Sequence, residues 1–207
     1  MFTPKLGVFF MNEKQKVQPV AGVRVIVLSA ALASLSAFLQ LYHLGYQSPQ
    51  WGMWLDFVAV TWIVAYFLFG WRSALIVSVL GAIIITLFAP DTWLGASMKF
   101  VATVPIWISL AVWGRRYSNP KNLIVPFIAG NILRLMLVLP LNYYYAIPIW
   151  TGMTPVQAIS AIPWPVISLF NIVQSLIDLT LAWVLVYRFR LNRFSAGQNQ
   201  HEENLKS

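Results

Sequence analysis

Cysteine is absent from the 207 residues, which excludes disulfide frameworks, iron–sulfur clusters, thiolate catalysis and Cys-ligated zinc. Charge is scarce: 10% of residues are charged against 59% hydrophobic, and the mean hydropathy is +0.70. A soluble domain carries about a quarter charged residues, so an ordinary water-soluble protein is excluded. There are six acidic residues, three of them (Glu13, Glu202 and Glu203) in polar tails, and two histidines, His43 and His201. Membrane hydrolases and metalloenzymes need converging acids, bases or metal ligands. No GxSxG, HExxH, Walker lysine or paired acidic motif supplies them, and His43 alone is a poor axial set for haem. The chain is expected to be no enzyme, to bind no metal and to need no cofactor.

What the chain has in quantity is apolar runs. A bilayer-spanning helix takes ~20 mostly apolar residues. Reading between charges, prolines and glycines gives six spans, at 23–44, 55–69, 71–88, 97–113, 123–148 and 163–187, the second and fourth being short. The expected fold is an all-α membrane bundle of six helices over 23–190, flanked by a polar segment, 1–22, and a polar tail, 191–207. Only the short stretch Gly70, Trp71 and Arg72 marks the junction of the second span with the third, so these two are read as antiparallel neighbours in a tight hairpin. Residues 1–22 show no long apolar stretch before a small-residue cleavage site, so no removable signal peptide is read. Met11 is an alternative start.

The net charge of +8 and the pI of about 10.0 follow from topology rather than from nucleic-acid binding. Lys5, Lys14, Lys16, Arg24, Arg72, Arg115, Arg116, Lys121, Arg188, Arg190, Arg193 and Lys206 fall on the side that holds both termini. That is twelve of the fourteen cations. The opposite connectors, near 43–53, 90–96 and 150–162, hold no Lys or Arg. The positive-inside rule places both termini in the cytoplasm of a plasma-membrane protein. Trp51, Trp54, Trp93, Trp150 and Trp164 lie toward the outer ends, against Trp71 and Trp113 at the inner boundary. They read as an aromatic belt or as stacking surfaces of an outward cavity.

Polar groups within spans cost roughly 2.5–3.5 kcal/mol each when charged and at mid-helix, and normally face a bundle interior or cavity. Arg134 and Asp178 could pair across spans five and six. Lys99 and Asp56 could snorkel to the outer headgroups or face a cavity. Asn131, Asn142, Asn171, Gln174 and Ser175 form an uncharged set, with Asn171 and Gln174 on one helix face. Asn142 opens the aromatic run Tyr143, Tyr144, Tyr145, between Pro140 and Pro148, with Pro163 and Pro165 further on. Buried amides can join helices or read the hydrogen-bonding edge of a ligand. On span one Ser29, Ala33 and Ala37 recur every four residues, with Ala30 and Ser34 beside them. Such a strip lets another helix pack closely, either within the bundle or from a partner.

The order of these features resembles the substrate-binding S component of energy-coupling factor (ECF) vitamin transporters, of the riboflavin-specific type, over about residues 25–190. The pieces are the small-residue strip from Ala33 to Ala37, Leu55, Asp56 and Phe57 opening span two, and the Phe69, Gly70, Trp71 hairpin into a span containing Gly81. The run from Gly95 to Phe100 follows, then Leu141 to Pro148 in span five and Phe170 to Ile177 in span six. The resemblance implies a non-enzymatic subunit that captures a vitamin near the outer face. Ser29, Ala33 and Ala37 would dock onto a membrane coupling subunit that carries two cytoplasmic ATPases. The implied ligand contacts are Asn142 and Asn171, with Gln174, Lys99, Asp56, Tyr143 and Trp164 around them. The family's riboflavin binders carry Lys three residues after the span-six Asn, where Gln174 stands here, and Lys99 could supply that charge from span four. Two other readings stay open: an S component for another heterocyclic vitamin or base, and a structural membrane protein that binds nothing.

Overall fold

The structure, a computed structural model, describes residues 23–49, 53–88, 93–113 and 117–192, with Arg24 described in its backbone only. Lys5, Lys14, Lys16, Arg115, Arg116, Arg193, Lys206, His201 and Trp51 lie outside the described residues, as do 1–22 and 193–207.

In hydrocarbon every backbone N–H and C=O must be satisfied within the protein, so long apolar runs resolve into helices. They are α1 (Val23–Leu41), α2 (Val58–Phe69), α3 (Trp71–Phe88), α4 (Trp93–Trp113), α5 (Ile124–Leu141), α6 (Ile147–Thr151), α7 (Pro155–Ala161) and α8 (Trp164–Trp183). A short 3-10 turn, Pro120–Leu123, leads into α5. Among the described residues, four stretches are long and apolar enough to cross a bilayer: Trp71–Phe88, Trp93–Trp113, Pro120–Thr151 and Trp164–Arg188. Shorter apolar helices cover Val25–Leu41 and Val58–Phe69. With these two the count of six spans stands. The fourth is not short; it starts at Trp93 rather than residue 97 and runs 21 residues.

The second span is as short as its sequence suggests, and for a structural reason. Twelve residues at ~1.5 Å each give about 18 Å, well under a hydrocarbon core of ~30 Å. Directly before it comes an antiparallel hairpin, β1 (Gly45–Gln47) and β2 (Trp54–Asp56), pairing Gly45 with Asp56, Tyr46 with Leu55 and Gln47 with Trp54. Non-helical backbone at membrane depth is tolerated where protein or a cavity encloses it. The all-α expectation missed this hairpin. α2 itself is apolar on every side, and Val58 through Ala65 are all buried, as expected of a helix enclosed by others.

Gly70 joins α2 to α3 with φ of +85°, a conformation open to glycine at little cost, and the expected antiparallel pair forms. α1, α2 and α3 pack together around Ala33, Ala37, Val58, Ala59, Trp62, Ala65 and Val77. A Cβ on Gly81 would lie 2.5 Å from Ser36 Oγ and 2.9 Å from Trp62 Nε1, so that position admits no side chain without displacement.

This packing corrects the docking expectation. Ala33 is 1% exposed and Ala37 and Ser29 are also buried, because α1 turns this strip onto α2 and α3. The surface that α1 leaves open carries Val27, Ala30, Ala31, Ser34, Leu35 and Phe38. The first span also ends sooner than expected, at Leu41 rather than residue 44, and leads into the hairpin.

α5 continues past Pro140 into a π-helical turn, Asn142–Ala146, and then α6. The Ile147 N–H reaches back five residues to the Asn142 carbonyl. A π turn inserts one extra residue into the helical winding, just before Pro148, which has no N–H to offer a regular ladder. A second π turn, Val184–Arg188, follows α8.

Candidate functional site

A cavity of about 390 Å³ opens between the hairpin, α4, α5, the π turn, α6 and α8. Its polar lining comes from Gln40, His43, Asp56, Lys99, Asn142, Asn171, Arg134, Gln174 and Asp178. Its apolar and aromatic lining includes Trp54, Met98, Val138, Ile147, Trp150, Ile167 and Phe170. Small-molecule sites occupy roughly 300–1,000 Å³ and pair mostly apolar walls with a few placed polar groups. No group of three or more His, Cys, Asp or Glu positioned to hold a metal occurs among the described residues.

The polar groups differ sharply in how far the protein itself uses them. Lys99 Nζ pairs with Asp56 Oδ2, the one ion pair among the described residues. Asp56 Oδ1 accepts from the Val58 N–H at 2.9 Å, at the start of α2. These two residues thus fasten the hairpin to α4 at the cavity wall instead of snorkelling to headgroups.

Gln174 is committed more completely. Its Oε1 accepts from the Asp56 N–H at 3.1 Å, and its Nε2 donates to the Asp56 carbonyl at 2.7 Å and to Asp178 Oδ1 at 2.8 Å. Both amide protons are spent, and the side chain stands beside β2 as a neighbouring strand would. Gln174 borders the cavity with both of its N–H donors already engaged.

Arg134 does not pair with Asp178. Its Nε donates to Asn171 Oδ1 at 2.9 Å and its Nη1 to Ser175 Oγ at 3.0 Å. Ser175 Oγ in turn donates to the Asn171 carbonyl at 2.8 Å, so its lone pairs face the guanidinium. Asp178 Oδ2 has no partner among the described residues. Asn171 Nδ2 donates to the Ile167 carbonyl and Asn142 Nδ2 to the Val138 carbonyl. Each amide has two N–H groups, so one remains on each, together with the Asn142 Oδ1 acceptor.

Two expected contacts are not on the wall. Tyr143 points out of the cavity into the packing among α4, α5, α7 and α8, where its hydroxyl donates to the Ile162 carbonyl at 2.8 Å. Asn142, the preceding residue of the same π turn, does face the cavity. Trp164, at the start of α8, is 62% exposed and belongs to the outer surface of the bundle. Conversely, Trp54, Trp150 and His43 line the cavity. His43 stacks on Trp54 with ring centroids 5.1 Å apart.

The fold and this cavity are those of a multi-pass membrane protein that resembles an ECF S component. A solved S component of a bacterial ECF transporter matches it with a TM-score of 0.64, covering 83% of this chain and 96% of that one at 24% identity. In sequence, the riboflavin transporter RibU of Streptococcus thermophilus is 27% identical over 193 residues, 86% of this chain and 84% of that protein. The resemblance to S components is thus carried by fold and by sequence separately. Both proteins are components of transporters and not enzymes, in line with the expectation that this chain does no covalent chemistry. Comparison with protein-family models finds no match.

Proposed function

We propose that the chain is the substrate-capturing membrane subunit of an ECF-type importer and that it takes riboflavin or a related flavin from outside the cell. Partner subunits, a membrane coupling protein and two cytoplasmic ATPases, would supply the energy. The observation that carries the reading is the cavity itself: a volume of about 390 Å³ with Asn142 and Asn171 on its wall and Trp54 and Phe170 beside them. A flavin ring is flat and apolar on its faces and presents alternating carbonyl and N–H groups along one edge. Aromatic walls suit the faces, and carboxamides, donor and acceptor at once, suit the edge. The similarity to a riboflavin transporter points to the same ligand.

Charge distribution supports the direction of uptake. In sequence, the connectors near 43–53, 90–96 and 150–162 hold no Lys or Arg, whereas twelve of the fourteen cations fall in segments that alternate with them. With the termini cytoplasmic, the cavity opens outward. A coupling subunit approaching α1 would meet Val27, Ala30, Ala31 and Ser34, since Ser29, Ala33 and Ala37 are turned inward.

The test is spectroscopic. Protein purified in mild detergent and titrated with riboflavin is expected to quench flavin fluorescence saturably at one site. Asn142→Ala should weaken binding by about tenfold, the value of one good hydrogen bond to a buried ligand edge. A preparation that neither quenches riboflavin nor carries any metabolite through purification would overturn the reading. Retention of a different heterocycle would transfer it to that compound.

A further inference from the structure

Five ionisable side chains, His43, Asp56, Lys99, Arg134 and Asp178, border one cavity, and they are not equally available; His43 lies against the Trp54 ring. Lys99 is neutralised by Asp56. Asp178 accepts from Gln174 at Oδ1, and its Oδ2 is buried without a hydrogen-bond partner among the described residues. Arg134 is a buried cation whose hydrogen-bond partners, Asn171 and Ser175, are both neutral, with the Asp178 and Asp56 carboxylates within electrostatic range but not bonded to it.

A guanidinium has five N–H groups. Two are used, which leaves three with no protein partner among the described residues, on a side chain that lines the cavity. Its orientation is fixed in advance. Asn171 Oδ1 and Ser175 Oγ grip it from adjacent turns of α8, and Ser175 is itself held by the Asn171 carbonyl. No Arg134 nitrogen is among the buried atoms left without a partner, so its unbonded N–H groups are accessible and can meet an acceptor that enters the cavity.

We propose that Arg134 is the specificity-determining cation of the site and donates to a ring carbonyl of the bound heterocycle. Asn142, with its unengaged Oδ1, accepts from the ring N–H beside that carbonyl. This deepens the riboflavin reading and rests on it. The class of ligand selected is a flat ring whose edge reads carbonyl, N–H, carbonyl. Lys99 acts on the ligand only indirectly, through its hold on the hairpin.

The experiment compares wild type, Arg134→Met and Arg134→Lys in detergent, each checked for a folded, monodisperse state, using riboflavin and lumichrome (an alloxazine that keeps the carbonyl, N–H, carbonyl edge and lacks the polyol chain). Arg134→Met is expected to weaken both ligands by the same factor, about ten- to a hundredfold, as for a hydrogen bond to a charged group. Arg134→Lys should fall between, keeping charge but losing the fork. Because Arg134 also joins α5 to α8, the unaltered protein supplies a second readout. The infrared carbonyl stretch of bound riboflavin should lie below its position in water and move back upward in Arg134→Lys. Equal affinity in the variants, a loss confined to riboflavin with lumichrome unaffected, or a bound carbonyl band at or above its position in water overturns the assignment of Arg134. Absence of riboflavin binding by wild type overturns the transport reading and this one with it.

Discussion

The half of the bundle built from α1, α2 and α3 and the half built from α4, α5 and α8 are made of the same apolar stock, yet they bury opposite things. The first is dry: Ala33, Ala37, Ala59, Ala65 and Gly81 let the helix backbones come close, and Ser36 bonds the Ala33 carbonyl of its own helix. The second is closely packed too, with Gly130 against Ile106 between α4 and α5. Toward the hairpin end, however, it parts around a cavity with charges on its wall. Lipid gives helices no hydrophobic reason to associate, so contact between small residues holds the first half together. The second half relies on charge-assisted bonds that a low-dielectric setting strengthens and makes costly to leave incomplete.

Substitutions can break this contrast, and the largest effects should fall on the wet half. Lys99→Met leaves the Asp56 carboxylate buried and alone, which is expected to cost about 3–5 kcal/mol. Thermal unfolding in mild detergent should drop accordingly, and adding Asp56→Asn should restore most of it. Without that rescue the pair would have no role in holding the hairpin. Gln174→Ala strips partners from both backbone groups of Asp56, at about 1–3 kcal/mol for each group left unsatisfied. Hydrogen exchange at 54–56 should rise, while the α1–α3 half keeps its protection.

In the dry half, Gly81→Val is expected to cost about 1–3 kcal/mol through overpacking against Ser36 and Trp62, readable as a lower unfolding temperature with riboflavin affinity little changed. A fall in affinity as large as that of Asn142→Ala would show that the halves are not independent. Ser34→Leu, on the open face of α1, should change stability by less than about 0.5 kcal/mol, whereas Ala33→Leu, one residue earlier, should destabilise like other buried enlargements.

That last pair shows what could be read in the chain. Small residues at 29, 33 and 37, and again at 30 and 34, announce a surface for close helix contact. The i, i+4 spacing cannot say which strip turns inward, because the answer depends on α2 and α3. Span positions were legible because ~20 apolar residues leave few alternatives. The hairpin was not: strands of three residues have no periodicity to detect, and their support comes from Gln174, far along the chain. Asn142, Asn171, Lys99 and Asp56 were found because polar groups within apolar spans stand out. Partners were not legible: whether Arg134 pairs with Asp178 stays open in the sequence, since a seven-atom side chain can reach several acceptors. Tyr143 and Trp164 looked like ligand groups by proximity to Asn142 and to the outer ends, but sequence adjacency fixes neither azimuth nor depth.

The π turn at Asn142–Ala146 carries a consequence for engineering this protein. Its surplus residue sets the phase of everything downstream relative to α5. Deleting one position within 143–146 would let the winding relax to regular α-helix and swing Ile147 and Trp150 by roughly a quarter turn. Two wall residues would then leave the cavity although no side chain in it had been exchanged. Length at this bend is therefore as much a determinant of what fits inside as chemistry is, and grafts between proteins of this fold should preserve the count before they match the letters.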